Sequence, residues 1–351
     1  MAGTSPAMTK SVIQSPVQYM KSMSMLTLRI LVCGAALMMA THGHAQTASG
    51  SAANYPNRPV KVIVPFAPGG VTDVIARLWA QRMSAGLGQQ FYVENHAGGG
   101  SNLGMGAAAR QPADGYSLMV GASSFTINPV LYKKIPYDPF KDFTAVSLLD
   151  TTPGVLIVHP SLPAKSFQEL VALVRANPGK YSYGMSGIGT PNHLLGELLK
   201  LSFGLDLVTV PFPGGGPAIQ STIAGHTPIA YVALTSIPPL VEGGQVRALA
   251  VTGMKRSAVL PSVPTMLEMG VRGQEPDTFT GLMAPAGTPK DIIDRLNAET
   301  VKILAAEDIK QRLANLGSEP QSTTPAEFEG RLKQEVAFWG KVIEDARIDR
   351  Q

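Results

Sequence analysis

The sequence predicts an α/β protein of two lobes, and three observations lead there. Apolar, β-branched runs alternate with amphipathic helical segments along most of the 351 residues, the pattern of sheets whose faces are covered by helices. Some 300 residues remain beyond an N-terminal leader, more than one core comfortably holds. Two strands also run into nearly the same phrase, Val62-Ile63-Val64-Pro65-Phe66-Ala67-Pro68-Gly69-Gly70 and Val208-Thr209-Val210-Pro211-Phe212-Pro213-Gly214-Gly215-Gly216, and each phrase leads into a helix. Proline stops ladder donation there, and the glycines let backbone N–H groups approach a ligand with no Cβ in the way. The free N–H groups and positive dipole end of the next helix make each phrase a candidate seat for an anion. An ordinary strand-to-helix turn is the plainer reading of either phrase alone.

The N-terminus reads as a targeting segment. Lys10, Lys21 and Arg29 precede an apolar run from Ile30 to Ala40, and Gly43-His44-Ala45 offers small residues where a signal peptidase reads them, so cleavage is expected near Ala45 and the mature chain in the periplasm. The apolar run falls short of the ~20 residues that span a bilayer. Cys33, the only cysteine, lies in this leader, and the bulky Val32 before it argues against lipid attachment. Residues 1–45 hold three basic and no acidic residues, which leaves 26 basic against 25 acidic in the rest. That balance gives no reason to expect nucleic acid as a partner. Without cysteine, the mature chain has no disulfide, iron–sulfur cluster or thiolate zinc site, and no cofactor is called for.

Taken in order, 46–54 is small and polar, a flexible lead-in. Residues 60–65 form an apolar strand, and Thr72 caps a helix whose Val74, Ile75, Leu78 and Trp79 share a face, ended by Gly86 and Gly88. Strands are expected at 91–94 and 116–120, with a short helix at 103–110 between them. The run 155–158 opens a second set of units. Ser166 and Glu169 suit a capping box, and Leu170, Val171, Leu173 and Val174 face the core of that helix. A strand at 181–185 precedes a helix started by Thr190 and Pro191 that carries Leu194, Leu195, Leu198 and Leu199. Strands at 207–210, 229–234 and 246–251 complete a second sheet. A return segment at 278–285 and helices opened by Thr288-Pro289 and by Thr324-Pro325-Ala326-Glu327 finish the chain. The strands read as mostly parallel. The expected organisation is a signal peptide at 1–45, the lead-in at 46–54, lobe 1 at 55–160, lobe 2 at 161–262, and a return segment with the rest of lobe 1 at 263–351. A ligand would lie between the lobes, beyond the carboxyl ends of the strands.

Binding groups outnumber reacting groups. Tyr183-Gly184-Met185-Ser186-Gly187-Ile188-Gly189-Thr190-Pro191 ends a strand in small polar residues and starts a helix with a cap and a proline, which leaves N–H groups and hydroxyls toward the crevice. His193 follows on the first turn, where packing or capping is its plainer role. Ser123 and Ser124 would supply hydroxyls from the neighbouring strand end, or belong to a solvated loop. Asp73, near a helix start, is placed to accept N–H bonds from the loop before it. Gly98-Gly99-Gly100-Ser101 is a possible anion nest. Gly104-Met105-Gly106 with Ala109 is a poor dinucleotide fingerprint, because it does not directly follow a strand. Gly184-Met185-Ser186-Gly187 lacks the closing glycine of a nucleophile elbow, and the histidines show no metal-ligand spacing.

The succession Pro65-Phe66-Ala67-Pro68-Gly69-Gly70 with Asp73, Val93-Glu94-Asn95, Asp114-Gly115-Tyr116, Tyr183 through Leu194, Arg247-Ala248-Leu249-Ala250-Val251-Thr252 and Ala284-Pro285-Ala286-Gly287-Thr288-Pro289 resembles the Bug family, the periplasmic substrate-binding receptors of tripartite tricarboxylate transporters. The resemblance covers essentially the whole mature chain. It implies a two-lobed, type II periplasmic-binding-protein (Venus flytrap) fold that closes on a small organic carboxylate, monomeric, with the membrane components of the transporter or a sensor kinase as partner. Carried over by motif, the ligand-binding residues are Phe66, Pro68, Gly69, Gly70 and Asp73 in one lobe and Ser186, Gly187, Gly189, Thr190 and His193 in the other. Ser123, Ser124, Gly214 and Gly215 join them from the loops described above. Two departures bear on the ligand. Val210-Pro211-Phe212-Pro213-Gly214 stands where many relatives read Val-Pro-Tyr-Lys-Gly, and Pro228-Ile229-Ala230-Tyr231-Val232-Ala233 lacks the acid of a Val-Asp-x-x-Phe-Asp run. Without that acid an ammonium group finds less compensation, which favours a simple or aromatic carboxylate over an amino acid. Two other readings stand beside this one: an exported serine hydrolase using Ser186 or Ser123, and a binding protein that serves signalling rather than uptake.

Overall fold

A computed structural model describes residues 54–271 and 277–351. The expected signal peptide and the lead-in up to residue 53 lie outside the described residues. From the first strand the order is β1 (Val60–Val64), α1 (Val71–Leu87), β2 (Phe91–Asn95), α2 (Asn102–Ala109), β3 (Ser117–Ala122), α3 (Ser124–Leu131) and β4 (Phe143–Thr152). Then come β5 (Gly154–Val158), α4 (Phe167–Arg175), β6 (Ser182–Met185), α5 (Pro191–Phe203), β7 (Val208–Pro211), α6 (Gly215–Ile223), β8 (Ile229–Ala233), α7 (Pro238–Glu242) and β9 (Arg247–Val251). The chain closes with β10 (Thr278–Pro285), α8 (Lys290–Ala305), α9 (Glu307–Asn315), β11 (Glu319–Pro320) and α10 (Pro325–Asp345).

Strand pairing divides these elements into two sheets within one compact unit, a six-stranded sheet in the order β11-β4-β10-β3-β1-β2 and a five-stranded sheet in the order β7-β6-β8-β5-β9. Most strands of each sheet run one way, with returning strands set among them. β1 pairs in parallel with β2 and β3, and β6 with β7 and β8, while β10 runs against both β3 and β4, β11 against β4, and β5 against both β8 and β9. A chain that enters the second sheet and later returns must send strands back along each, and a parallel reading of apolar runs misses that constraint. By pairing, the chain changes sheets at Pro153, between β4 and β5, ahead of the boundary expected at 160.

Each strand is apolar on both sides because both faces are covered. Val60, Val62 and Val64 pack with Ile75, Trp79 and Leu296, while Ile63 of the same strand packs with Met119, Phe125 and Phe328 on the other face. β5 repeats the alternation, with Leu156 and Val158 in one core and Val155 and Ile157 in another. Two helices join the sheets. α10, opened by a full capping box between Thr324 and Glu327, buries Phe328 and Leu332 against the first sheet and Trp339, Val342 and Ile343 in the core of the second. α3 does the same with Phe125 and with Ile127 and Leu131. The segment expected to return to lobe 1 therefore also serves the other core, as do Met266 and Val271 ahead of β10. The sequence reading contained neither α3 nor β4. α3 carries Pro129 and no side-chain cap, and β4 interrupts its apolar run with Asp150, Thr151 and Thr152.

Candidate ligand-binding site

Register places the loops. β10 pairs with β3 so that Thr280 faces Ala122, and with β4 so that Thr278 faces Thr152. The loops after β1, β2 and β3 therefore leave the first sheet at the edge where the crossing strands leave it. In the second sheet Gly154 faces Ala233, and β6 and β7 run parallel to β8 or its neighbour, so the loops after β6, β7 and β8 emerge where the crossing strand enters. Only Pro153 separates Thr152 from Gly154, and both loop sets open toward the same crossing.

In the first set the 66–70 loop is held by Asp73. The Gly69 N–H donates to Asp73 Oδ2 at 2.9 Å, Asn95 Nδ2 donates to Oδ1 at 2.8 Å and to the Phe66 carbonyl at 3.1 Å, and Arg77 Nε donates to the carboxylate at 3.0–3.1 Å. Gly69 sits at φ +84°, where a side chain is strained. Burial pushes the Asp73 carboxyl up, but the bonds from Arg77, Gly69 and Asn95 prevail and hold it below the usual carboxylate range. With its oxygens so occupied, Asp73 shapes the loop. Asp73→Ala is expected to cost about 1.5–3 kcal/mol of stability in urea denaturation, and less if the half-exposed Arg77 regains water.

The second set has the same construction. The Gly189 N–H, at φ +77°, donates to His193 Nδ1 at 3.2 Å, again four residues on and again on the first turn of a helix. Thr190 caps that helix, accepting from the His193 N–H at 3.3 Å while its hydroxyl donates to the Gly187 carbonyl at 2.8 Å. Asn192 Nδ2 donates to Ser186 Oγ at 3.0 Å. The structural twin of the 62–70 phrase is thus the segment after β6, and the sequence echo at 208–216 is not a second copy. Gly214 is extended, Gly214 and Gly215 would each accept a Cβ without contact, and neither has a left-handed backbone. Phe212 instead lies along β6, its N–H on the Met185 carbonyl at 2.9 Å and its ring against Gly184.

Between the two sets stands α3. Ser123 and Ser124 lie at its start. Ser123 is buried and its Oγ accepts from the Phe279 N–H at 3.0 Å; Ser124 Oγ accepts from Ser101 Oγ at 2.8 Å. Asn128 Nδ2 donates to the Gly100 carbonyl and to Asn102 Oδ1, which ties α3 to the 98–101 nest. A Cβ on Gly189 would fall 2.3 Å from Leu131 Cδ2, and one on Gly104 would fall 2.6 Å from Pro65 Cα. The loops at 66–70, 98–101, 123–124 and 186–190 therefore form one neighbourhood. Gly104 serves close packing against β1 and not a dinucleotide. The three helices opening at the first-sheet edge, α1, α2 and α3, have no side-chain cap bond, which leaves their first N–H groups for a ligand or water. Ser186 Oγ accepts from Asn192 Nδ2 and Ser123 Oγ from the Phe279 N–H, and among the described residues neither has a hydrogen bond to a histidine.

Sequence reasoning missed Asn95, Arg77 and Asn128 as supports. Arg77 was legible as the partner four residues beyond Asp73; Asn95 and Asn128 become supports only through β2 pairing beside β1 and through a helix that was not anticipated.

The family model for the tripartite tricarboxylate transporter family receptor matches residues 75–348. The Bordetella pertussis protein BugT is 34% identical over 297 residues, 84% of this chain and 91% of its own length. Among solved structures, Rpa4515 of R. palustris with adipate is 35% identical, covers 84% of this chain and 98% of its own, and superposes with a TM-score of 0.72. MatC from Rhodopseudomonas palustris with bound malate is 33% identical, covers 82% and 100%, and superposes at 0.69. With that coverage, the two-lobed α/β fold and the paired glycine loops, the chain belongs to the tripartite tricarboxylate transporter family of receptors, the Bug-type periplasmic solute-binding proteins.

Proposed function

We propose that this receptor, exported and cleaved near Ala45, captures a small organic carboxylate between its two loop sets and presents the closed form to the membrane components of its transporter. The observation that carries the reading is the pair of glycine loops, each fixed by a side chain four residues on, that open toward one crossing. Backbone N–H groups and uncapped helix starts hold a carboxylate without side-chain chemistry, each helix end contributing up to about 1–2 kcal/mol in a partly buried site. Binding both lobes at once favours the closed state. That Rpa4515 was solved with adipate and MatC with malate supports the ligand class. Val71, Leu103 and Ile188, exposed at 45%, 63% and 58% beside these loops, suit a ligand with a hydrocarbon body. β8 offers only Ile229, Ala230, Tyr231, Val232 and Ala233, with no acid for an ammonium group.

Calorimetric titration with adipate, benzoate, malate and glutamate tests this. Adipate or benzoate is expected to bind and glutamate to bind least. The double variant Gly69→Val, Gly189→Val, which denies both loops their backbone conformation, is expected to lose about tenfold or more in affinity, since a left-handed residue costs about 1–2 kcal/mol each. A folded variant that binds as well as the parent would place the site elsewhere, and heat with glutamate alone would overturn the ligand class.

A further inference from the structure

We propose that His193 is a positioning residue whose unprotonated Nδ1 holds the Gly189 N–H, so that the second lobe's loop is set for a carboxylate only while the ring is neutral. The inference rests on the ligand class proposed above and assigns that site a pH response of definite sign. Gly189 N–H is a donor 3.2 Å from Nδ1, so Nδ1 must carry a lone pair and the ring proton must sit on Nε2. Nε2 lies 3.8 Å from Glu197 Oε1, too far for a hydrogen bond. A second proton would go to Nδ1, turn the acceptor into a donor and leave two N–H groups facing each other. The loop then loses the contact that keeps Gly189 left-handed.

The surroundings oppose that proton. His193 is buried, and burial holds its pKa below the ordinary value of 6.5; Glu197 pulls it back up and Lys200 pushes it further down. Both charged residues lie on α5 itself. From β6, the Tyr183 hydroxyl donates to Glu197 Oε1 at 2.8 Å and reaches the His193 carbonyl; from β7, Thr209 bonds Glu197 and Lys200. The apolar core that α5 packs into also holds Trp339, Val342 and Ile343 of α10 and Ile127 and Leu131 of α3. The first lobe behaves differently. Asp73 occupies the equivalent place toward Gly69, and its carboxyl is held below the usual carboxylate range.

The sign separates this role from direct contact. A histidine touching a carboxylate ligand would bind it more tightly when protonated; a histidine holding the loop through a lone pair would make binding weaker. His193→Asn keeps an acceptor on Cγ that cannot titrate. Adipate affinity measured from pH 7.5 to 5.0 is therefore expected to fall about threefold to tenfold in the wild type relative to H193N, the ratio removing the ligand's own titration. A constant or inverted ratio would refute the proposal. Should neither protein bind adipate or benzoate, the ligand class fails, and the loop claim is still decided by 15N NMR of the free mature wild type. The Gly189 amide and His193 ring nitrogens should titrate with one midpoint below 6.5, with Nδ1 unprotonated at pH 7.5. A Gly189 amide that ignores the ring, or an Nδ1–H tautomer, sinks it.

Discussion

Trp339→Ala is expected to lower stability by about 3–5 kcal/mol, because a fully buried indole leaves a cavity that its neighbours cannot fill. Trp339 is 1% exposed and sits with Leu194, Leu195 and Tyr231 in the second-sheet core, yet it belongs to a helix whose earlier turns bury Phe328 and Leu332 under the first sheet. The loss should thus exceed that of a residue serving one core, and hydrogen exchange should rise in α5 as well as in α10. Trp339→Phe is expected to cost only about 1–2 kcal/mol, since among the described residues the buried indole N–H has no hydrogen-bond partner and nothing polar is orphaned by its removal. Urea unfolding at pH 7.5 measures both. Equal costs for the two variants would show that ring volume does not couple the cores.

Asp150→Asn is expected to stabilise the protein at pH 8 by up to about 3 kcal/mol, roughly 5 °C or more in Tm, and to lose that advantage toward pH 4. Asp150 lies on β4 just before the crossing, 1% exposed; Thr152 Oγ1 donates to its Oδ2 at 3.2 Å, and Thr280 and Ser318 also lie beside the carboxylate and favour its charged form. Burial pushes its carboxyl from 3.8 up to about 6, against the hydrogen bonds from Thr280, Ser318 and Thr152 that pull it down. A raised folded-state pKa means that the native state holds the proton more tightly. The favourable contribution is then complete below 3.8 and lost as pH rises through about 6. Asparagine never ionises and escapes that loss. Thermal scans of both proteins between pH 4 and 8 decide it; a difference in Tm that does not grow with pH would mean that Asp150 ionises at no cost.

Much of the site was legible because it is made of local signals. Thr190 and Pro191 announce a helix start, and the bond from the His193 N–H to Thr190 confirms the cap. The Thr324 capping box and the 278–285 return strand appear as read. Ser166 caps α4, but Glu169 turns its carboxylate to the Lys165 N–H and not to Ser166, a detail of rotamer choice that no pattern carries. Thr72, read as a cap, lies inside α1, whose N-cap is Gly70. The loop before it is shaped by Asp73 from within the helix, while α1 itself has no side-chain cap. Val74, read as core, is 37% exposed, since α1 turns Ile75 and Trp79 inward.

The sequence alone determined the alternation of elements, the membership in a receptor family and the glycine loops, because periodicity, caps and glycine act over a few residues. Which loops are twins was decided only by tertiary structure. The repeated phrase at 208–216 looked like a second copy, whereas the pairing of β6 with β8 and the acceptors on Asp73 and His193 select the segment after β6. The same holds for the helices that serve both cores. A hydrogen bond to a left-handed glycine, or a tryptophan shared between sheets, depends on where distant strands bring the chain, and nearest-neighbour pattern carries no record of that distance.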